Sequence, residues 1–234
     1  MGKTSNFKLL KYILTFLIFG CTNLSFGQIN LKVGYSIGYT NLDKTKSIFD
    51  RFNDNNLQAE KKLSPVKIFN GIDLGLRYKF QHFGIDLGLS SMSGSTDALN
   101  VFQSDGSLGK DEWKISIINY YLGLENYFGS FGYGVTIGTQ KLKYRTDLAS
   151  DSGKKVIYSE SVLNSRFYLI LEVPSNKISF SIRPFISTTW KPYNIKGVEL
   201  VFDPQSNLPE RDFDQDLIVY GLSFMFYNGP QRKY

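Results

Sequence analysis

The sequence has little of the usual chemical equipment of an enzyme. It carries one cysteine and one histidine in 234 residues. Cys21 falls inside the first 27 residues, so a mature chain beginning after them has no thiol, which excludes disulfides and cysteine chemistry. Beyond that leader no apolar run approaches the roughly 18 or more residues a spanning helix needs. Strong charge of one sign is missing too. The net charge is +6, and removal of Lys3, Lys8 and Lys11 with the leader leaves 24 basic against 21 acidic residues, or +3. That balance, with no basic run interleaved with aromatics, argues against nucleic acid. Aromatics are plentiful instead, at 15% of the chain.

Met1 to Gly27 reads as a secretory signal. Three lysines precede an apolar stretch from Tyr12 to Gly20, and Ser25 and Gly27 are the small residues before a cleavage at Gln28. A lipoprotein signal acylated at Cys21 is the alternative, with Gly20 suited to it and the bulky Phe19 against it. Either way the chain is exported. The expected organisation is a leader over 1–27, one domain over 28–227 and a short tail over 228–234.

What the rest contains is period-two alternation, since strand side chains point to opposite faces in turn. Ile218, Tyr220, Leu222, Phe224 and Phe226 form a large apolar face, against Val219, Gly221, Ser223 and Met225. Ile29 to Tyr39 alternates with Asn30, Lys32, Gly34, Ser36 and Gly38 in the same way. Further strands begin near Ile68, Phe83, Trp113, Phe131, Val162 and Ile178. In the fourth, Trp113, Ile115 and Ile117 run in the opposite phase to Ile118, Tyr120 and Leu122, which predicts a bulge. Pro184 predicts a second, because it cannot donate to a ladder. Gln81–His82, Gly129–Ser130 and Pro174–Lys177 are tight turns. Asn41–Pro65, Met92–Glu112, Arg145–Ser161 and Lys191–Phe213 are long polar loops.

Eight strands joined by short and long connections in strict alternation predict an all-β fold, an eight-stranded antiparallel up-and-down transmembrane β-barrel with both termini on the periplasmic side. Tyr39, Trp113, Tyr144 and Trp190 near the loops, and Tyr78, Phe80, Phe83, Phe128, Phe131 and Phe226 near the turns, suit two interfacial girdles. A sugar-binding platform is the alternative for the loop-side set.

The closing strand, with Gly221 followed by Phe224 and Phe226, resembles the C-terminal insertion signal of bacterial outer-membrane barrels. Val219 stands where that signal has a polar residue. The whole pattern resembles the small barrels of the OmpA and OmpX type. Gln28 at the cleavage site and Asn119-Tyr120-Tyr121-Leu122 leading to Tyr127-Phe128 resemble the outer-membrane barrel proteins of Bacteroidetes. The resemblance implies residence in outer-membrane lipid, delivery by the barrel-assembly machinery, and an extracellular partner met through the long loops.

Inward-facing glycines leave room beside Asp73, Arg77, Asp86, Glu125, Glu172 and Arg183, which are expected to pair as a charge network in the lumen, because an unpaired buried charge costs several kcal/mol. The network reads as a structural plug, with an ion or proton pathway as the alternative. No catalytic residue, cofactor or metal site is assigned. His82 lies in a turn, away from the outer leaflet where barrel lipid hydrolases and acyltransferases place theirs. Asp212, Asp214 and Asp216 have part of a calcium-loop spacing but lack its glycine and its bidentate glutamate. The expected role is non-enzymatic, structural or loop-mediated. A narrow pore or a barrel subunit of a transport or secretion machine is one alternative. A soluble lipocalin-like barrel with inverted faces is another.

Overall fold

The computed structural model describes residues 28–80, 82–102, 108–148, 153–175 and 177–228. The expected leader with Cys21, turn residues Gln81 and Asn176, and tail residues 229–234 lie outside them.

Eight strands close into one antiparallel barrel. In chain order they are β1 (Gln28–Tyr39), β2 (Ile68–Phe80), β3 (Phe83–Phe102), β4 (Leu108–Phe128), β5 (Phe131–Asp147), β6 (Lys155–Val173), β7 (Ile178–Thr189) and, after two short strands β8 (Tyr193–Asn194) and β9 (Asp214–Gln215), the closing strand β10 (Ile218–Asn228). Each barrel strand pairs with its sequence neighbour, and β10 closes the ring on β1, with Val33 opposite Phe226 and Gly38 opposite Gly221. Closure leaves no edge unpaired along the ring that all eight strands share; above it, β3 beyond Ser93 and β6 before Asn164 pair in the ladder on one side only.

The three short connections fall where expected, between Phe80 and Phe83, Phe128 and Phe131, and Val173 and Ile178. Gly129 adopts φ +68°, a conformation that suits glycine in a two-residue turn.

The long connections differ from the sequence reading. Most of Met92–Glu112 is not a loop but a continued ladder, in which Met92 pairs with Ile117 and Asp97 with Glu112. Arg145–Ser161 likewise contains strand at both ends, with Lys143 opposite Ser159 and Arg145 opposite Val156. β3 to β6 therefore stand well above the other strands as a wall. The other two connections fold as well. α1 (Asp43–Asn55) buries Thr45, Ile48, Phe49 and Phe52 on one face, the i, i+3, i+4, i+7 spacing of an amphipathic helix. α2 (Lys196–Phe202) buries Val198 and Glu199, and the β8–β9 bridge ties the base of its loop.

Neither expected bulge occurs. Ile117 and Ile118 keep their register with Met92 and Ser91. The phase of the apolar residues reverses because the inside of the barrel changes character there: Trp113, Ile115 and Ile117 point inward, like Asn119 and Tyr121 below them. Pro184 stays opposite Leu222 in register. On its other side the β6–β7 pairs stop at Tyr168–Phe185 and resume at Leu171–Ile182 without a shift, so the missing N–H interrupts the ladder but does not move it.

Candidate functional site

The interior has two layers. The layer nearer the turns is polar. Asp73, Arg77, Asp86, Glu125, Glu172 and Arg183 all point into it and are all buried. Arg77 lies 3.1 Å from Glu172, and Arg183 lies 2.8 Å from Glu125 and 3.3 Å from Asp86. Asp73 joins through Ser36 and lies 3.8 Å from Arg166. The structure thus brings all six sequence-assigned residues into one connected region.

Three members were not assigned from the sequence. Lys32 is fully buried and pairs with Asp86. Arg166 is 6% exposed and stacks over the Phe185 ring at 4.3 Å. Lys79 reaches Glu172 at 3.0 Å. Strand parity would have found all three, since each shares a face with a glycine or charge already placed inside. Tyrosines fill the gaps. Tyr168 donates to Glu125 at 2.7 Å, Tyr127 to the same carboxylate, and the Arg77 guanidinium lies 3.6 Å from the Tyr227 ring centroid. Glycine makes this packing possible: a Cβ at Gly134 would fall 2.4 Å from the Tyr168 ring.

Five cations (Lys32, Arg77, Lys79, Arg166, Arg183) thus face four carboxylates (Asp73, Asp86, Glu125, Glu172). Pairing is what lets these ions stay charged in the interior, since desolvating each costs several kcal/mol. The void left between Asp86, Tyr121, Arg166 and Arg183 is about 10 Å³, room for one water at most. Side chains fill the lumen at this level.

The second layer is an apolar core at the loop end. Phe69, Met92, Ile115, Ile117, Leu142 and Val219 line the wall, and α1 and α2 cover it. Phe49 meets Trp113 edge to face at 5.6 Å, and Phe52 meets Phe202 at 4.8 Å. Burying rings of this kind against one another is the dominant stabilising term in such a cap. Polar anchors fix its geometry. Arg51 of α1 pairs with the buried Glu199 of α2 at 2.7 Å, Thr45 meets the Tyr144 hydroxyl at 2.6 Å, and Asn53 both donates to and accepts from the Leu63 backbone at 2.8 Å. Below the cap Tyr193 donates to the Gln140 carbonyl at 2.7 Å. Glu160 takes hydrogen bonds from Tyr158 at 2.6 Å and Lys191 at 3.0 Å. Burial would raise the Glu160 carboxyl, but these two partners outweigh it and hold it below its ordinary value.

Two members of the expected loop-side girdle therefore belong elsewhere. Trp113 and Tyr144 are fully buried in the cap, because their parity faces the lumen. Tyr39 and Trp190 are on the outside, 48% and 60% exposed. At the turn end Phe80, Phe83, Phe128, Phe131 and Phe226 face outward. Between the two ends the outer wall is apolar, as in Leu31, Val33, Ile37, Leu122, Leu124, Val135, Ile137 and Leu169. Gly221 packs inward under Phe185, while Phe224 and Phe226 lie outward against Phe180. His82 is an exposed turn residue. Asp214 accepts from Asn194 at 3.0 Å, and no cluster of potential metal ligands occurs among the described residues.

No family model matches the chain, and no curated protein matches it. Among solved structures it is similar to Ail, the attachment invasion locus protein of Yersinia pestis, in complex with the heparin analogue sucrose octasulfate. The identity is 12%, with 86% of this chain and 98% of that one covered and a TM-score of 0.50. It also matches Neisserial surface protein A, NspA, at 5% identity over 89% of this chain and 99% of that one, with a TM-score of 0.45. The fold is that of the small eight-stranded outer-membrane barrels.

Proposed function

We propose that this protein is an integral outer-membrane β-barrel without enzymatic activity, which closes its own lumen and acts through the folded cap at its loop end. The observation that carries this is the pairing of an apolar outer wall with a charged, filled interior. In water the wall would expose a continuous apolar surface far larger than the few hundred Å² soluble proteins tolerate, and a lipocalin-like barrel would need the opposite arrangement of faces. The filled lumen and the aromatic cap above it also weigh against the pore reading. Export by the leader over 1–27 and assembly guided by Gly221, Phe224 and Phe226 belong to the same reading, as does kinship with the OmpA, OmpX and Bacteroidetes barrels. Ail was solved with a heparin analogue, which makes a contact at the cap with an extracellular partner a natural role here.

Fractionation followed by electrophoresis with and without boiling tests the reading. A protein that pellets with outer membranes, runs faster unboiled and gives no conductance in planar bilayers supports it. A soluble periplasmic protein without a heat-dependent shift overturns it, and steady conductance moves the role to transport.

A further inference from the structure

The outer wall of the β3–β6 extension carries a strip of cations that the cap and the lumen do not use. On β5, Lys141, Lys143 and Arg145 alternate outward, and Lys114 of β4 stands directly opposite Arg145. Opposite residues of an antiparallel pair lie about 5 Å apart at Cβ, and like charges placed so repel. None of the four forms an ion pair among the described residues. Serines border the strip on both sides. Ser116 pairs with Lys143, and Ser161 and Ser159 of β6 stand opposite Lys141 and Lys143. Ser95 of β3 stands opposite Lys114.

Height fixes what meets this surface. Lys141 lies ten residues above Phe131 on one strand. At about 3.3 Å per residue and a tilt of about 40°, that rise is about 25 Å, the height of the apolar band of such barrels. Lys143 and Arg145 then sit about 5 and 10 Å higher, in the headgroup zone. The rung above is acidic, with Glu112 opposite Asp147. A soluble polyanion descending from the cap would have to pass those carboxylates, whereas a lipid headgroup reaches the strip from the side, with its chains against Ile137 and Leu122.

We infer that Lys114, Lys141, Lys143 and Arg145 form a binding site for the phosphorylated headgroup of an outer-leaflet lipid. The inference rests on the membrane reading above. Each cation near an anionic headgroup contributes about fivefold in affinity, so removing all four should weaken binding several hundredfold, on the order of 600-fold.

The test uses the full chain refolded in detergent micelles, with bis-phosphorylated lipid A titrated in and adducts counted by native mass spectrometry. The variants are the quadruple Lys114→Gln, Lys141→Gln, Lys143→Gln, Arg145→Gln, and a control with exposed Lys62, Lys67 and Lys177 changed to Gln. The heat-dependent gel shift verifies folding of each. The expected result is saturable lipid A binding by the parent and the control, absent from the quadruple variant, and not reproduced by phosphatidylcholine. Equal binding by the parent and the quadruple variant overturns the site. So does binding of sucrose octasulfate through these four residues in place of lipid A. If the chain neither inserts nor shows the shift, the membrane reading fails and the site fails with it. As a second readout, Lys143→Gln alone should lose about fivefold, so the conclusion stands even where the quadruple variant refolds poorly.

Discussion

Trp113 and Phe202 stack inside the mouth of the barrel, their ring centroids 4.6 Å apart and their planes 28° from parallel. One comes from the wall and the other from the end of α2, so the contact joins the cap to the barrel across 89 positions of sequence. Deleting a large buried ring costs about 3–5 kcal/mol. Trp113→Ala should therefore loosen the cap while the transmembrane wall stays closed. Limited proteolysis should cut faster within 191–213, with the unboiled gel mobility unchanged. Trp113→Phe keeps a ring there and should resist cleavage much better. Only Trp113 and Trp190 are present, so the loss also removes the blue-shifted part of the emission and leaves that of the exposed Trp190.

Arg183 is the hub of the lumen network, touching both Glu125 and Asp86. Arg183→Met leaves those carboxylates with one fewer cation in a dry interior. Breaking one partner of a buried pair costs about 3–5 kcal/mol, and the urea midpoint in vesicles should fall accordingly. Adding Glu125→Gln removes the stranded charge and should recover part of the loss. A double-mutant cycle measures that recovery as a coupling energy; a coupling of zero would show that the pair contributes nothing.

Acid should act first on the wall above the apolar band. Asp97 of β3 sits between Lys61 and Lys110, and its hydrogen bond to Lys61, followed by the charges of the two lysines, holds its carboxyl below the ordinary value of 3.8. The folded pKa is depressed, so the contribution is fully present above the unfolded value and is lost as pH falls through the folded one. The Lys61–Leu99 bridge, which pins the segment after α1 to β3, should therefore exchange its amides faster only below about pH 4. Asp97→Asn should produce the same faster exchange at neutral pH. Unchanged exchange in that variant would show that the lysine contacts do not hold the segment.

Much of this architecture was legible in the sequence, and the misreading of the upper strands has one cause. β1, β2, β7 and β10 were plain because a mostly apolar outer face alternates there with small, polar or charged inward residues. The upper parts of β3 to β6 were not, because both faces change there. Outside, Leu122 and Ile137 give way to Lys114 and Lys143. Inside, Gly123 and Asn119 give way to Ile117 and Trp113. A reader following the apolar face sees a phase reversal and infers a bulge, when the strand is regular and its surroundings have changed. Lys32 and Arg166 went unassigned for another reason, since only their inward parity places them in the lumen. α1 was readable in principle from Thr45, Ile48, Phe49 and Phe52 at helical spacing. The charges around them, Lys44, Lys46, Asp50 and Arg51, made the stretch look like a solvated loop. What no local pattern held was the tertiary fact that α1 and α2 share one core, since Arg51–Glu199 and Phe52–Phe202 join segments separated by nearly the whole barrel.

The direction of the faces has its own decisive substitution. Leu122 is 57% exposed on the outer wall, opposite Leu87 and Ile137, about halfway up the apolar band. In lipid an arginine near the midplane of a barrel wall costs about 2–4 kcal/mol. Leu122→Arg should lower the unfolding free energy measured by urea titration in vesicles by that amount and slow insertion. In water the same change would cover apolar surface with charge and would be neutral or improve solubility. Leu108→Arg, on the outer face but well above the band, supplies the comparison, since it is 55% exposed and should cost little in either solvent. A large loss at 122 with little change at 108 is the signature of a wall in contact with hydrocarbon. Equal tolerance of both would mean that the wall faces water, and the apolar surface would then need another explanation.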